Sequence, residues 1–395
     1  MILLLISFVV AFVVTMLLVW SAARHAHVSG DTDKSQPQKF HDKVVPRIGG
    51  VGIMCGVVAG TAFSLLRGGD DGVLLGLLVV CGVVAFGAGL IEDFTKKVSP
   101  LQRLLATVAA AALAAWQLKA IIPETDLLGL STVLQFPAAA FLLTLVAVAG
   151  VANSVNIIDG FNGLASMCAA IMLASIAYIA FKVGDIFVMH AALITLGAVA
   201  GFFVWNFPLG LIFLGDGGAY FLGFWIAELG ILLVQRNQTV SPLVPLMVCA
   251  YPIMETLFSM YRRKVVRGRP VGQPDAVHLH SLIYRRILRP AQKTNMQQAK
   301  LRRNSMTSPY LWVLCSMAVV PALLWWSDSG VLFAGLVIFY SLYVLLYRSI
   351  VMFRVPAFLS AKDVGLPQRK KISEIAKPRD NTIEKAVATS DERLA

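Results

Sequence analysis

Eleven apolar runs, roughly 1–22, 48–66, 73–91, 101–121, 138–155, 162–182, 187–205, 219–235, 242–260, 309–327 and 331–353, commit this chain to a lipid bilayer. Each is close to the ~20 residues that a helix needs to cross a hydrocarbon core of about 30 Å. Backbone N–H and C=O groups in lipid must be satisfied within the segment, so the expected fold is all-α and polytopic, with about eleven transmembrane helices. At 57% hydrophobic and 14% charged residues, the 395-residue chain is not a string of soluble domains. It reads as one membrane domain over 1–354, which includes a loop at 261–308, followed by a tail at 355–395. The tail mixes both signs of charge with few large apolar residues and is expected to be mostly disordered.

Basic residues orient the spans. Of the 34 Lys and Arg, all but Arg67, Lys119, Lys182 and Arg236 fall on one set of alternate loops and the tail. The positive-inside rule puts that set in the cytoplasm and the N-terminus outside, and an odd number of spans then returns the C-terminus to the cytoplasm. The net charge of +12 reflects this asymmetry, so nucleic acid is not an expected partner. Residues 1–22 carry no basic stretch ahead of the apolar run and are read as a retained first span rather than a signal peptide. The five cysteines lie inside expected spans without metal-ligand spacing and are read as packed thiols.

Four short polar motifs interrupt the apolar pattern, all at the cytoplasmic ends of expected spans: GLIEDF (Gly89–Phe94), NSVNIIDGFNG (Asn153–Gly163), FLGDGGA (Phe213–Ala219) and HLHS (His278–Ser281). Polar groups at such borders are costly unless they bind something, so four on one face point to a shared polar site. Glu92 and Asp93 are adjacent carboxylates that repel, which calls for a cation or a shared proton nearby, or else they form a solvated interfacial pair salt-bridged to Lys96 and Lys97. Asp216 sits among glycines that let the backbone bend. It suits a hard cation such as Mg2+, which takes one or two carboxylates plus substrate phosphates, or else it caps the following helix. Asn153, Asn156, Asp159 and Asn162 recur every third residue, a spacing that drifts slowly round one helix face, with Gly160 and Gly163 placed to break or tighten the turn. His278 and His280 are two apart, so they share a face only in an extended segment. They lie in a loop with twelve Lys and Arg, Arg263 among them, against the single acid Asp275. That setting suits a sugar or a diphosphate, or else the two are solvated loop histidines. Asn206 ends the seventh span, where it would contact a nucleotide or cap the helix. Glu255 precedes Arg262 and Arg263 on a similar helical face and is open to pairing with a basic group.

In order and in orientation these motifs resemble the polyprenyl-phosphate N-acetylhexosamine-1-phosphate transferases, glycosyltransferase family 4, over about Phe40 to Phe353. The segment Met260–Pro270 looks like the branch that initiates surface polysaccharides such as O antigen. Departures are Glu92 where the family usually has Asp, Ser154 for Ala, Asn162 for a second Asp, Ala219 for Ser and Ser281 for a third His. The resemblance implies transfer of a sugar-1-phosphate from a UDP-N-acetyl sugar to undecaprenyl phosphate at the bacterial inner membrane, with release of UMP. It implies Mg2+, with Mn2+ as the alternative, on Asp216 and Asn156. Asp93, Asp216 and Glu92 would be the catalytic residues, with positioning of the lipid phosphate as Asp93's main task. Asn153, Asp159 and Asn206 would line the nucleotide side, and Asn162 would be a further substrate-binding residue. His278, His280 and Arg263 would face the sugar or diphosphate. UDP-GlcNAc or a modified relative is the favoured donor, and the oligomeric state stays open, with a homodimer as one option. The reading from a different class is a transporter or flippase of a lipid-linked intermediate, which would place ionisable groups deep in several spans rather than at one end.

Overall fold

A computed structural model describes residues 1–21, 45–68, 70–123, 125, 129–268, 270, 277–288 and 296–352, all of which belong to one compact unit. The tail at 355–395 lies outside the described residues, as do Asp275 and parts of the basic loop. Among the described residues there are helices and no strand. In chain order they are α1 (Ile2–Trp20), α2 (Gly49–Leu66), α3 (Asp70–Thr95), α4 (Pro100–Gln117), α5 (Leu130–Leu134), α6 (Pro137–Ile158), α7 (Leu164–Val183) and α8 (Ile186–Asn206). They continue with α9 (Gly215–Arg236), α10 (Val244–Val248), α11 (Ala250–Tyr261), α12 (Leu279–Leu282), α13 (Met296–Leu324) and α14 (Ser329–Val351).

Nine of these helices, among the described residues, are long and apolar enough to cross a membrane. The expected spans at 101–121 and 242–260 are helical too, but less regular. The first is α4, where Arg103 and Gln102 lower the hydropathy. The second is divided into α10 and α11 at Cys249, with Pro245 and Pro252 on either side. Proline removes a helix hydrogen bond, and a break at membrane depth is tolerated where neighbouring protein surrounds it. Val244, Val248 and Ala250 are all fully buried there.

The loop expected over 261–308 is shorter than its charge suggested. Helix α13 begins at Met296, so its first turns fall within that loop. The charged residues of 299–303 are good helix formers, and a helix that leaves the bilayer can carry them. The stretch around α11 and α12 also continues as π-helical turns, Arg262–Val266 and Ile283–Ile287.

Helix α9 is the axis of the bundle. It packs against α2, α3, α4, α6 and α7, and every residue from Gly217 to Val234 is buried. Helix α1 lies outside. Leu3, Ser7, Ala11 and Thr15 turn inward at a four-residue spacing, whereas Leu5, Val9, Val13 and Leu17 face outward. Such a face is stable only in lipid, because these side chains recur along one stripe of the helix.

Candidate active site

The site is built on the first turn of α9, and its neighbours are set by close backbone contact. Residues 46–50 run beside the FLGD segment: Phe213 N–H donates to Pro46 O (2.9 Å), Gly49 N–H to Phe213 O (2.9 Å) and Gly50 N–H to Leu214 O (2.8 Å). These bonds also satisfy amides at the start of α2 that have no partner within their own helix. A Cβ on Gly89 of α3 would stand 2.6 Å from the carbonyl carbon of Asp216, so only glycine lets α3 come this close.

That approach brings Asp93 under the N-terminus of α9. Its Oδ1 accepts from the Asp216 amide (2.9 Å) and its Oδ2 from the Gly217 amide (2.9 Å), and the residue is 1% exposed. Unsatisfied amides and the positive end of the helix dipole both favour a carboxylate here. Asp216 therefore does not cap its own helix; no side-chain cap bond is present, and α3 supplies the cap instead.

Freed from capping, the Asp216 side chain points into a polar cluster. Asn156 Nδ2 donates to its Oδ1 (3.0 Å), Arg103 is ion-paired to its Oδ2, and an Arg47 nitrogen stands 3.7 Å from Oδ1. The local sequence explains Arg103. Ser99 and Gln102 form a capping box and Pro100 follows the cap, so α4 starts at a defined residue and Arg103 ends its first turn. Its guanidinium lies 5.7 Å from the centre of the Tyr220 ring, one turn along α9, and the Tyr220 hydroxyl donates to Asn153 Oδ1 (3.4 Å). Asn153 and Asn156 thus share the α9-facing side of α6, as their spacing predicts.

The stripe stops there. Helix α6 ends at Ile158, and Gly163 takes a left-handed backbone (φ 72°), so Asp159 and Asn162 lie in a turn rather than on the helix. Burial pushes the Asp159 carboxyl up to about 7, while Arg47 pulls it the other way. The same turn touches the histidines. A Cβ on Gly160 would stand 3.1 Å from His280 Nε2, and the Phe161 ring meets the His280 ring edge-on at 5.4 Å. Burial lowers His280 to about 3, so its ring is neutral. His278 and His280 stack at 5.2 Å. The NSVNIIDGFNG segment therefore joins two of the other motifs, with Asn156 on the last turn of α6 reaching Asp216 and Gly160 and Phe161, in the turn beyond, meeting His280.

Other expected site residues are placed differently. Glu92 Oε2 accepts from the Val98 amide (2.7 Å), bracing the α3–α4 turn. Arg263 donates to Ser259 Oγ (2.9 Å), one turn back on its own helix. Asn162 is buried. Its amide donates to Asn304 Oδ1 (2.9 Å), its Nδ2 to Pro208 O (3.1 Å), and its carbonyl accepts from Ser308 (2.6 Å). Asn206, 5% exposed, accepts from the Gly163 amide (2.7 Å) and Ser166 (3.2 Å) and donates to Ile212 O (2.8 Å). Both tie loops together through these bonds. Removing a buried hub leaves its partners unsatisfied at about 1–3 kcal/mol each. Asn206→Ala is therefore expected to lower thermal stability in detergent by about 2–4 kcal/mol. The donor KM of the folded fraction should be unchanged; a selective rise in KM would restore the nucleotide contact.

Arg47, Arg103, Tyr220 and Phe161 are the site residues that motif reading missed. The available signal was a basic residue one turn inside an alanine-rich span, and another two residues before Gly49-Gly50.

Among the described residues no group of three or more His, Cys, Asp or Glu side chains gathers as a metal cage. Asp216 with Asn156 is a sparse oxygen-bearing set at 13% exposure of the carboxylate. It would suit Mg2+, which keeps waters and shares its coordination with substrate phosphates, once the Asn156 amide turned its oxygen in place of the nitrogen that now meets Asp216. Two guanidinium groups beside it fit those phosphates.

Comparison with known proteins agrees with this arrangement. The sequence profile of glycosyl transferase family 4 matches residues 75–234, which carry three of the four motifs. The chain is similar to a probable undecaprenyl-phosphate N-acetylglucosaminyl 1-phosphate transferase of Bacillus subtilis, at 28% identity over 71% of this chain and 77% of that protein. It is similar to the undecaprenyl-phosphate alpha-N-acetylglucosaminyl 1-phosphate transferase of Escherichia coli, at 26% over 69% and 74%. It is also similar to the decaprenyl-phosphate N-acetylglucosaminephosphotransferase of Mycobacterium tuberculosis, at 28% over 61% and 65%. Motif order thus agrees with what the chain is similar to: a glycosyl transferase family 4 profile over residues 75–234, and relatives that are polyprenyl-phosphate N-acetylglucosamine-1-phosphate transferases.

Proposed function

We propose that this protein transfers N-acetylhexosamine-1-phosphate from a UDP-sugar to undecaprenyl phosphate at the cytoplasmic face of the bacterial inner membrane. The products are UMP and a lipid-linked diphospho-sugar that begins a surface polysaccharide. The observation that carries the reading is Asp216. It is a carboxylate at the start of a helix buried from Gly217 to Val234, faced by Asn156, Arg47 and Arg103 at the end of the bundle that carries the four motifs.

The two substrates explain the location. One is water-soluble and anionic, and the other keeps its phosphate at the membrane surface, so only side chains at helix ends can touch both. Arg47 and Arg103 bind the donor diphosphate as guanidinium forks. Asn153, Tyr220 and Asp159 bound the cleft beside it, and His278 and His280 close it from the α12 side. Asp216 and Asn156 would hold Mg2+, or Mn2+, which when bound neutralises charge developing on the phosphoryl oxygens. An oxygen of the lipid phosphate attacks the phosphorus bearing the sugar, the bond to UMP breaks, and UMP leaves in line. The lipid phosphate has a second pKa near 6 and is mostly dianionic at neutral pH, so no strong base is required. Asp93 acts by fixing the start of α9 and hence Asp216.

Purified protein incubated with radiolabelled UDP-GlcNAc and undecaprenyl phosphate is expected to yield a labelled lipid and an equal amount of UMP. A panel of UDP-N-acetyl sugars read by thin-layer chromatography then selects the donor. Label that stays water-soluble with every donor would end the proposal.

A further inference from the structure

The histidine segment reaches the site through contacts outside the four motifs. Glu255 of α11 is completely buried. Its Oε1 accepts from the Leu279 amide (3.1 Å) and lies 2.9 Å from His278 Nδ1, and its Oε2 accepts from the Tyr343 hydroxyl of α14 (2.7 Å). An oxygen that already accepts an amide N–H is an acceptor toward the ring as well, so Nδ1 carries the proton. His278 is then left with Nε2 as its ring nitrogen for a ligand, because the bond at one nitrogen decides the role of the other. One turn beyond Tyr343, the Tyr347 hydroxyl donates to Val277 O (3.0 Å) and takes a bond from Arg262 (2.9 Å), tying the residue before His278 to the same helix. The partner set at Glu255 is specific: Glu228 of α9 is equally buried, yet among the described residues neither of its carboxyl oxygens has a hydrogen-bond partner.

We infer that Glu255 is a positioning residue: it holds His278 with Nδ1–H committed and presents Nε2 to the sugar-diphosphate donor, while Tyr343 locks the carboxylate in place. The choice of ligand rests on the transfer reading above; the Glu255–His278 pair itself does not.

Kinetics and spectroscopy test the two parts separately. Glu255→Ala and His278→Ala should each raise the donor KM about tenfold and leave the acceptor KM within about twofold. Because Glu255 acts through His278, the double variant should be no more than about twofold worse than His278→Ala. Glu255→Gln, whose amide oxygen can accept both bonds made at Oε1, should return to within about threefold of the parent protein. Effects that multiply in the double variant, or an acceptor KM that rises equally, would mark Glu255 as general packing and overturn the proposal.

Nuclear magnetic resonance of full-length, 15N-histidine-labelled protein in detergent needs no turnover and covers a Glu255→Ala variant that fails to fold. The His278 signal, identified by its loss in His278→Ala, should carry a proton on Nδ1, and that proton should move upfield in Glu255→Gln. A His278 ring protonated at Nε2 alone, or a signal indifferent to Glu255→Gln, overturns the proposal. If the parent protein transfers no sugar while this signature is present, the transfer reading fails and the pair stands.

Discussion

Asp216→Asn is expected to lower kcat/KM by at least ~10^3-fold, about 4 kcal/mol of transition-state stabilisation. The variant should nevertheless fold. The start of α9 is held through the backbone amides of residues 216 and 217, which accept no change from a side-chain substitution, and Asp93 still receives both bonds. What changes is charge. Arg103 and Arg47 both face the Asp216 carboxylate, and an amide leaves them without it. Two unneutralised guanidinium groups keep their attraction for a diphosphate, so the donor KM should stay level or fall while kcat collapses. The oxygen set for a divalent ion loses its carboxylate at the same time. The parent protein should therefore lose activity in EDTA and regain it with Mg2+ or Mn2+, whereas the residual activity of Asp216→Asn should respond to neither. A full rate in exhaustive EDTA, or an unchanged Mg2+ activation curve in the variant, would contradict an ion at Asp216.

The bundle was legible because bilayer thickness constrains run length directly: the expected spans and the helices coincide wherever one segment crosses without interruption. Convergence of the motifs was legible for a similar reason, since loop charge places their helix ends on one side. Pairings between distant segments were not. Nothing local to Arg103 says that it meets Asp216, and Glu255 was visible only as an acid in need of a base. The polar residues at helix ends were the hardest to read. Asn156 and Asn206 look alike in sequence, yet one faces the cleft and the other satisfies buried loop backbone. Irregular buried backbone needs side-chain partners as much as a ligand does, and a single sequence does not separate the two needs. The start of α13 was missed because its first turns are charged; an apolar run marks where a helix enters lipid, not where it begins.

Asp93→Asn should be nearly as damaging, by another route. Asp93 offers an oxygen to each of two amides of α9, whereas Asn offers one oxygen and one NH2 group. Whichever way the amide turns, one N–H of α9 faces another donor in a spot that is 1% exposed. An unsatisfied buried group costs about 1–3 kcal/mol, and the lost charge at the helix N-terminus adds about 0.3–1 kcal/mol. The first turn of α9 can relieve this only by moving, and Asp216 moves with it. A displacement near 1 Å at a reacting group can cost ~10^2-fold, so kcat is expected to fall by roughly that factor. If Asp93 served as the base, its removal would abolish the acid limb of the pH–rate profile and leave metal affinity alone. Acting through Asp216, it should instead leave the shape of the profile intact and raise the Mg2+ concentration for half-activation about tenfold. A flattened profile with unchanged Mg2+ dependence would return Asp93 to proton transfer. The opposite pattern would mean that a carboxylate beneath α9 serves the reaction by keeping a second carboxylate where the metal and the diphosphate need it.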